Sequence, residues 1–169
     1  MPYNIRYEVD VNTRRSGSTL NEAKELTRLT GLNYYFSKSI DYQDDEYGNA
    51  ILTLFPIKET THYELPMKLD QERRSISIIR VELTENQQLY FASTHLEVSD
   101  ESTRLVQVQK LVEISSKYQQ QYSFIIADDM SSTPTSETIK KFQEQFALAC
   151  KINECLPTFS SSKPTRTIV

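Results

Sequence analysis

The segment at residues 122–134 constrains the fold of this chain more than any other part of the sequence. Residues 124–127 (Phe-Ile-Ile-Ala) are apolar and favour a β-strand, and two carboxylates, a polar stretch and a proline follow before a helical pattern begins. Such a segment predicts a buried strand that delivers an acidic side chain to one end of a sheet. Because successive side chains of a strand point to opposite faces, we expect Asp128 and Asp129 to serve different purposes, one chemical and one as a loop cap.

The same acids also have a purely structural interpretation. Asp and Ser are common where a strand ends and a helix begins, because their side chains satisfy free backbone N–H groups. On spacing alone, a capping role for this segment therefore remains open beside a chemical one.

Length and composition indicate a single domain with its own core. The chain has 169 residues and contains neither an internal repeat nor a low-complexity linker. Its formal net charge is −4, and the basic residues occur in scattered pairs rather than in a stripe. This distribution argues against a strong nucleic-acid patch, whereas a small phosphate-bearing substrate is compatible with it.

Apolar runs and cysteines bear on where the protein resides. No apolar run approaches the length of a membrane span, and the N-terminus lacks a signal pattern, so a cytoplasmic location is expected. Cys150 and Cys155 have no His or Cys at metal spacing. We expect both to be packing residues in a reducing compartment.

Hydrophobic periodicity predicts a series of strands and helices along the chain. The predicted strands are 3–9, 33–40, 50–55, 57–65, 75–83, 89–95 and 124–127, with a hairpin turn at 85–86 and a last strand beginning near residue 165. The predicted helices run from a capping box at 19–22 to Gly31, from 102 to 118, and through Ile139, Phe142 and Phe146. Residues 10–17 and 41–46 are predicted loops. Antiparallel strands with helices at intervals indicate a layered α/β architecture.

Four stretches resemble motifs of the endonuclease/exonuclease/phosphatase superfamily. Residues 8–17 resemble the segment after the glutamine in a Gln-Glu-Val-Asp strand end, and residues 47–57 resemble a Tyr-Gly-Asn-Ala-Ile-Leu strand with its Pro-Ile continuation. Thr94-His95-Leu96, with Arg104 and Gln107 in the next helix, is similar to a Thr-His-Leu motif. Residues 128–134 then resemble the Gly-Asp-Phe-Asn-x-x-Pro loop. From the order and spacing of these motifs, the chain is identified as a member of this family.

The resemblance implies a four-layered α/β sandwich, with two mainly antiparallel sheets flanked by helices. It also implies hydrolysis of a phosphodiester or phosphomonoester with Mg²⁺ or Mn²⁺, cations that prefer oxygen ligands. Matched position by position, it implies the following roles: Glu8 and Asn4 for the metal, His95 for the scissile phosphate, Asp129 for the attacking water or the metal, Ser131 as a hydrogen-bond donor, and Asn49 and Arg15 for the substrate.

The sequence also departs from the family pattern. Asp128 replaces the glycine of the loop motif, Met130 the phenylalanine and Ser131 the asparagine. The first two family strands are fused at residues 3–10, and Val169 stands where a family aspartate would precede the Ser-Asp-His ending. We therefore expect one domain at 1–169 that is shortened at both ends and covers about the middle two-thirds of a typical family domain.

These departures leave two hypotheses open. The first is a hydrolase with weak turnover, and the second is an impaired or inactive remnant that retains at most a phosphate or metal site. A shortened sandwich exposes an unpaired strand edge, which proteins cover or pair. We therefore expect either a homo-oligomer or an edge covered by residues 160–169. The substrate class is not predicted.

Overall fold

The structure is a computed structural model that describes residues 5–12, 21–42, 45–151, 154–160 and 162–169. Its strands form two sheets, and every strand pair is antiparallel except the last two strands, which are parallel. In chain order the elements are β1 (Ile5–Asn12), α1 (Glu22–Thr30), β2 (Asn33–Tyr42), β3 (Asp45–Thr53), β4 (Ile57–Glu64), β5 (Ser75–Thr84), β6 (Gln87–His95), α2 (Glu101–Tyr118), β7 (Ser123–Asp129) and α3 (Glu137–Gln143). The strand order is β1-β3-β2 in the first sheet and β4-β5-β6-β7 in the second.

These elements stack in four layers. Helix α1 packs on the outer face of the first sheet through Ala23 and Leu32, and α2 and α3 pack on the outer face of the second sheet. Between the sheets lies an apolar cluster of Ile51, Ile79, Val81, Leu89 and Phe91. Full burial of each such side chain contributes roughly 1.5–3 kcal/mol relative to exposure. The four-layered α/β sandwich expected from the resemblance is thereby confirmed.

Strand β5 shows how the sequence pattern produces this arrangement. Ile76 and Ile78 face the helices, whereas Ile79 and Val81 face the other sheet. A central strand that is covered on both faces buries one set of alternate residues in one core and the other set in a second core. This explains why residues 75–83 give the clearest strand signal in the sequence.

Helix α1 confirms one predicted boundary and shifts the other. Gly31 ends the helix in a left-handed conformation with φ of 71°, as the stop signal predicted. The N-cap is Asn21, whose side chain accepts a hydrogen bond of 2.9 Å from Lys24 N. The first half of the predicted capping box lies outside the described residues.

Two predicted loops contain strand residues. Strand β1 continues to Asn12, and the acidic stretch 41–46 contributes the closing pairs of the β2–β3 hairpin, including Asp41 with Glu46. Lys38 lies 2.7 Å from Asp41 and 3.8 Å from Glu46, so these acids have a cation beside them. Hydrogen bonds between the strands satisfy the backbone groups while the acidic side chains remain exposed. Composition alone did not indicate that this acidic stretch takes part in a strand pair.

Strand β7 is less buried than predicted. It is the last strand of the second sheet within the described residues, and Ile125 is 48% exposed. The predicted strand near residue 165 is only an isolated bridge between Phe159 and Arg166. The tail nevertheless reaches the loop after β7, because Val169 N donates to Ser132 O at 2.9 Å.

The cysteines do not pack in the core as free thiols. Cys150 and Cys155 form a disulfide, so the prediction of two packing residues is wrong. A disulfide of this kind is more common in oxidising compartments, so the cysteines no longer support a reducing one. Among the described residues, no helix has the length and apolar character needed to cross a membrane.

Candidate active site

Three strand ends bring polar side chains together at one end of the second sheet. His95 ends β6 and is paired with Asp129, which ends the parallel strand β7. Arg74 directly precedes β5, which runs antiparallel to β6, so it lies at the same end. His95 Nε2 is 3.9 Å from Asp129 Oδ2. The pairing of two predicted site residues therefore follows from the strand register.

The loop after β7 folds back onto this pair. Ser131 has a left-handed backbone with φ of 49°, and its N–H donates to Asp129 Oδ1 at 2.8 Å. Its hydroxyl lies 3.3 Å from His95 Nε2 and 3.4 Å from Asp129 Oδ1. Asp129 thus caps the loop and also faces the histidine, and the three residues predicted to be catalytic are neighbours.

Asp128 lies on the opposite face of β7, as strand alternation predicted. Both carboxylate oxygens are shielded from solvent and have no hydrogen-bond partner within the described residues. Burial raises the pKa of Asp128 well above its usual range; the charge of Asp129 adds to the shift, and that of Arg74 opposes it. Asp129 has the capping contact, and the expected division into one chemical acid and one loop cap stays a prediction.

Arg74 belongs to the site, although no motif in the sequence analysis selected it. Its side chain is 9% exposed, and Nη1 lies 2.8 Å from Glu72 Oε1 and 3.4 Å from His95 Nδ1. The neighbouring Arg73 is exposed and pairs with Glu64 at 3.0 Å. One signal could have narrowed the choice to Arg73 and Arg74: a cation just before a strand that is antiparallel to the Thr-His-Leu strand reaches the histidine end of the sheet.

Asn49 is a buried contact between the sheets. Its Nδ2 donates to Ser75 O at 3.1 Å, and the hydroxyl of Thr94 donates to the same carbonyl at 2.8 Å. These bonds fix the start of β5, where Arg74 enters the site. The role of Asn49 as a substrate contact stays a prediction.

The loop after β6 is held by the two helix residues of the resembling motif. Gln107 accepts from Glu97 N at 2.9 Å and donates to Pro66 O at 3.0 Å, and Arg104 donates to Glu97 O at 2.9 Å. Burial alone would raise the pKa of Glu97, but hydrogen bonds from Ser99 and the charge of Arg74 lower it overall. Arg104 and Gln107 therefore fix the chain immediately after His95.

The residues predicted to bind the metal are the least described part of the site. Glu8 pairs with Ala50 in the first sheet, but the side chains of β1 lie outside the described part of the chain. Asn4 and Arg15 also lie outside it. Among the residues that are described, no group of three or more His, Cys, Asp or Glu is arranged to hold a metal ion. Asp129 supplies a half-exposed carboxylate, and the other ligands stay a prediction.

Comparisons with known proteins agree at the level of fold. Neither a family model nor a curated protein sequence matches the chain. Solved structures do match, among them a mannosyl-6-phosphatase of Bacteroides thetaiotaomicron with a TM-score of 0.68 and 15% identity, covering 84% of this chain and 56% of that one. ANGEL2, a 2′,3′-cyclic phosphatase, matches with a TM-score of 0.65 and 19% identity over 83% of this chain and 43% of its own.

A further match names the family of the fold. An endonuclease/exonuclease/phosphatase family protein of Bacteroides thetaiotaomicron has a TM-score of 0.63 and 16% identity, covering 72% of this chain and 50% of that chain. The chain thus spans about half the length of these structures. It has the α/β sandwich fold of the endonuclease/exonuclease/phosphatase family.

Proposed function

We propose that this chain is a metal-dependent phosphoester hydrolase of the endonuclease/exonuclease/phosphatase superfamily with weak turnover. The contact between His95 and Asp129, with Nε2 and Oδ2 3.9 Å apart at paired strand ends, is the observation that carries the proposal. The phosphatases among the structural matches act on phosphate esters, which supports the same reaction class. The proposal includes a single domain at residues 1–169, which spans about half the length of those structures.

The proposed roles follow from the chemistry of each side chain. His95 donates a hydrogen bond to a phosphate oxygen, where negative charge increases in the transition state. Asp129 accepts a hydrogen bond from the attacking water and orients it. Ser131 is a second donor, and Asn49 and Arg15 contact the substrate.

The metal would be Mg²⁺ or Mn²⁺. Glu8 and Asn4 would hold it, and the bound ion would neutralise charge on the phosphate. The described residues fit this group only in part, because Asp129 Oδ1 already accepts from Ser131 N and Oδ2 lies 3.9 Å from His95 Nε2.

A second function is favoured by the contacts of Ser131. Its hydroxyl contacts both His95 and Asp129, so the proposed donor and the proposed acceptor of the site are already in contact with the same side chain. A remnant of the fold that binds phosphate or metal without turnover would have a site whose polar groups already contact one another. The two candidates differ in whether any hydrolysis exceeds background.

Hydrolysis of bis-nitrophenyl phosphate with Mg²⁺ tests the proposal. We expect a rate that is low but above background. A site without a positioned general base loses about a hundred- to ten-thousandfold in rate, and Ser131 replaces a longer donor. Glu8→Gln and Asp129→Asn should each reduce that rate to background. Glu113→Gln, in an exposed acid of α2, is the matched control and should leave it unchanged.

Two outcomes would contradict the proposal or one part of it. Turnover that survives both substitutions would place the chemistry at other residues. Calorimetric titration separates the metal from the reaction: wild-type protein should bind Mg²⁺ or Mn²⁺ weakly, and Glu8→Gln should not. Metal binding without hydrolysis would favour the remnant.

A cytoplasmic location and the oligomeric state stay predictions.

A further inference from the structure

His95 is buried and contacts side chains through both ring nitrogens. The residue is 8% exposed. On one side, Nδ1 lies 3.4 Å from Arg74 Nη1. On the other, Nε2 lies 3.3 Å from Ser131 Oγ and 3.9 Å from Asp129 Oδ2. The two nitrogens therefore have chemically opposite surroundings.

The guanidinium side determines what Nδ1 can do. An arginine side chain has only N–H donors and no acceptor, so it can form a hydrogen bond with Nδ1 only if that nitrogen carries a lone pair. A neutral imidazole has one N–H, which must then lie on Nε2. The hydroxyl of Ser131 and the carboxylate of Asp129 are both able to accept from Nε2–H. The opposite tautomer would direct two N–H groups at each other.

We propose that Arg74 is a positioning residue that holds the proton of His95 on Nε2, facing Ser131 and Asp129. Which nitrogen of a histidine carries the proton is set by the hydrogen bond of the other nitrogen, and here the partner is a cation that cannot accept. A planar guanidinium suits this position because its N–H groups have fixed directions.

Arg74 is itself fixed by its surroundings. Its carbonyl accepts from Leu65 N at 2.8 Å, and its guanidinium is bonded to Glu72 at 2.8 Å. Glu97, whose pKa the charge of Arg74 helps to lower, is buried nearby. The buried guanidinium therefore has two acids beside it, which offset the cost of burying its charge.

The consequence for catalysis rests on the proposed function. With its proton on Nε2, His95 is a ready donor toward the face where Asp129 would orient water, and it needs no change of tautomer during the reaction. The position of the proton is nevertheless a property of the free protein. It can be measured whether or not the chain hydrolyses anything.

The test is long-range ¹H–¹⁵N NMR of protein labelled in histidine. The chain has two histidines, so the spectrum of His62→Gln assigns the signals of His95. In wild-type protein we expect Nδ1 to show the shift of an unprotonated ring nitrogen and Nε2 that of an N–H. The preference should be roughly tenfold or more, the effect of a hydrogen bond to a charged donor.

Three substitutions identify the cause of that preference. Arg74→Met removes the donor and should bring the tautomers toward an even mixture, whereas Arg74→Lys, which also donates and cannot accept, should retain the Nε2 preference. Arg73→Met is the matched control, because Arg73 is exposed and bonded to Glu64 at 3.0 Å, and it should leave the His95 signals unchanged.

Two results would overturn the inference. One is a wild-type proton on Nδ1, which decides the matter even if Arg74→Met fails to fold. The other is a folded Arg74→Met protein with an unchanged preference for Nε2. A correct tautomer together with absent hydrolysis would instead contradict only the proposed function.

Discussion

At the scale of single residues, the buried carboxylate of Asp128 carries an energetic cost. It lies between the second sheet and its helices, and its carboxylate oxygens have no hydrogen-bond partner in the described part of the chain. A buried acceptor without a partner costs about 1–3 kcal/mol, and more if it is charged. The resembling family has glycine at this position, so the aspartate is a departure that the fold tolerates at an energetic cost.

Substitution of Asp128 should therefore stabilise the protein. Its pKa is raised in the folded state above the ordinary value of 3.8. The folded state thus binds more protons than the unfolded state at intermediate pH, and stability falls as pH rises above about 4. Asp128→Ala should raise the free energy of unfolding at pH 7 by about 1–3 kcal/mol, and by less at pH 3, where the carboxyl is protonated in both states.

Urea unfolding at several pH values, in EDTA, measures this effect. Asp128→Asn is the matched variant: it removes the charge and keeps a buried polar group, so it should abolish the pH dependence and recover only part of the gain. An Asp128→Ala protein that is less stable than wild type at pH 7 would show that the carboxylate has a stabilising partner.

At the scale of elements, the β2–β3 hairpin depends on one glycine. A Cβ on Gly48 would lie 2.0 Å from the backbone oxygen of Ser37 and 2.9 Å from its carbon. Backbone atoms of a paired strand cannot move aside as the end of a flexible side chain can. The glycine therefore permits the register that places the neighbouring Asn49 between the sheets, where it bonds to Ser75 O.

Gly48→Ala should shift or break this register. We expect a loss of roughly 1–3 kcal/mol or more in unfolding free energy, the usual range for overpacking. Gly31→Ala is a useful comparison, because Gly31 has a φ of 71° but open space around it. It should cost about 1–2 kcal/mol from backbone strain alone. A smaller loss for Gly48→Ala than for Gly31→Ala in denaturant unfolding would contradict the steric explanation.

At the scale of the whole molecule, the β7 side of the second sheet is only partly covered by the described residues. Ile125 of β7 is 48% exposed, and the tail covers the adjoining loop through Val169, which packs against the core cluster of the helix layer. An exposed strand edge with an apolar side chain favours association with another chain. The tail and a second copy of the chain are alternative covers for this region.

Removal of residues 158–169 should therefore increase self-association. Sedimentation velocity should show a larger oligomeric fraction for the shortened protein than for the full chain at the same concentration. Adding Ile125→Lys to the shortened protein should reverse the increase, because a charge beside an edge opposes pairing. Identical sedimentation of the full and shortened proteins would mean that the tail does not protect this region.

The sequence by itself determined most of the elements and three neighbouring residues of the candidate site. Apolar periodicity is local, so the strands at 75–83 and 89–95 and the helix stop at Gly31 could be predicted from neighbouring residues. The order of motifs indicated the fold and selected His95, Asp129 and Ser131, which the structure brings together. The disulfide and the strand character of residues 41, 42, 45 and 46 were missed, because both depend on backbone pairing and proximity that composition does not encode.

Only the tertiary structure decided which side chains contact one another in the site. Arg74 and His95 are 21 residues apart, and His95 and Ser131 are 36 apart, so their contacts depend on the order and direction of β5, β6 and β7. The sequence could not tell the buried Arg74 from the exposed Arg73, since both precede the same strand. Which of two adjacent side chains enters a site is fixed by the face of the sheet it meets, and that face exists only once the layers have packed.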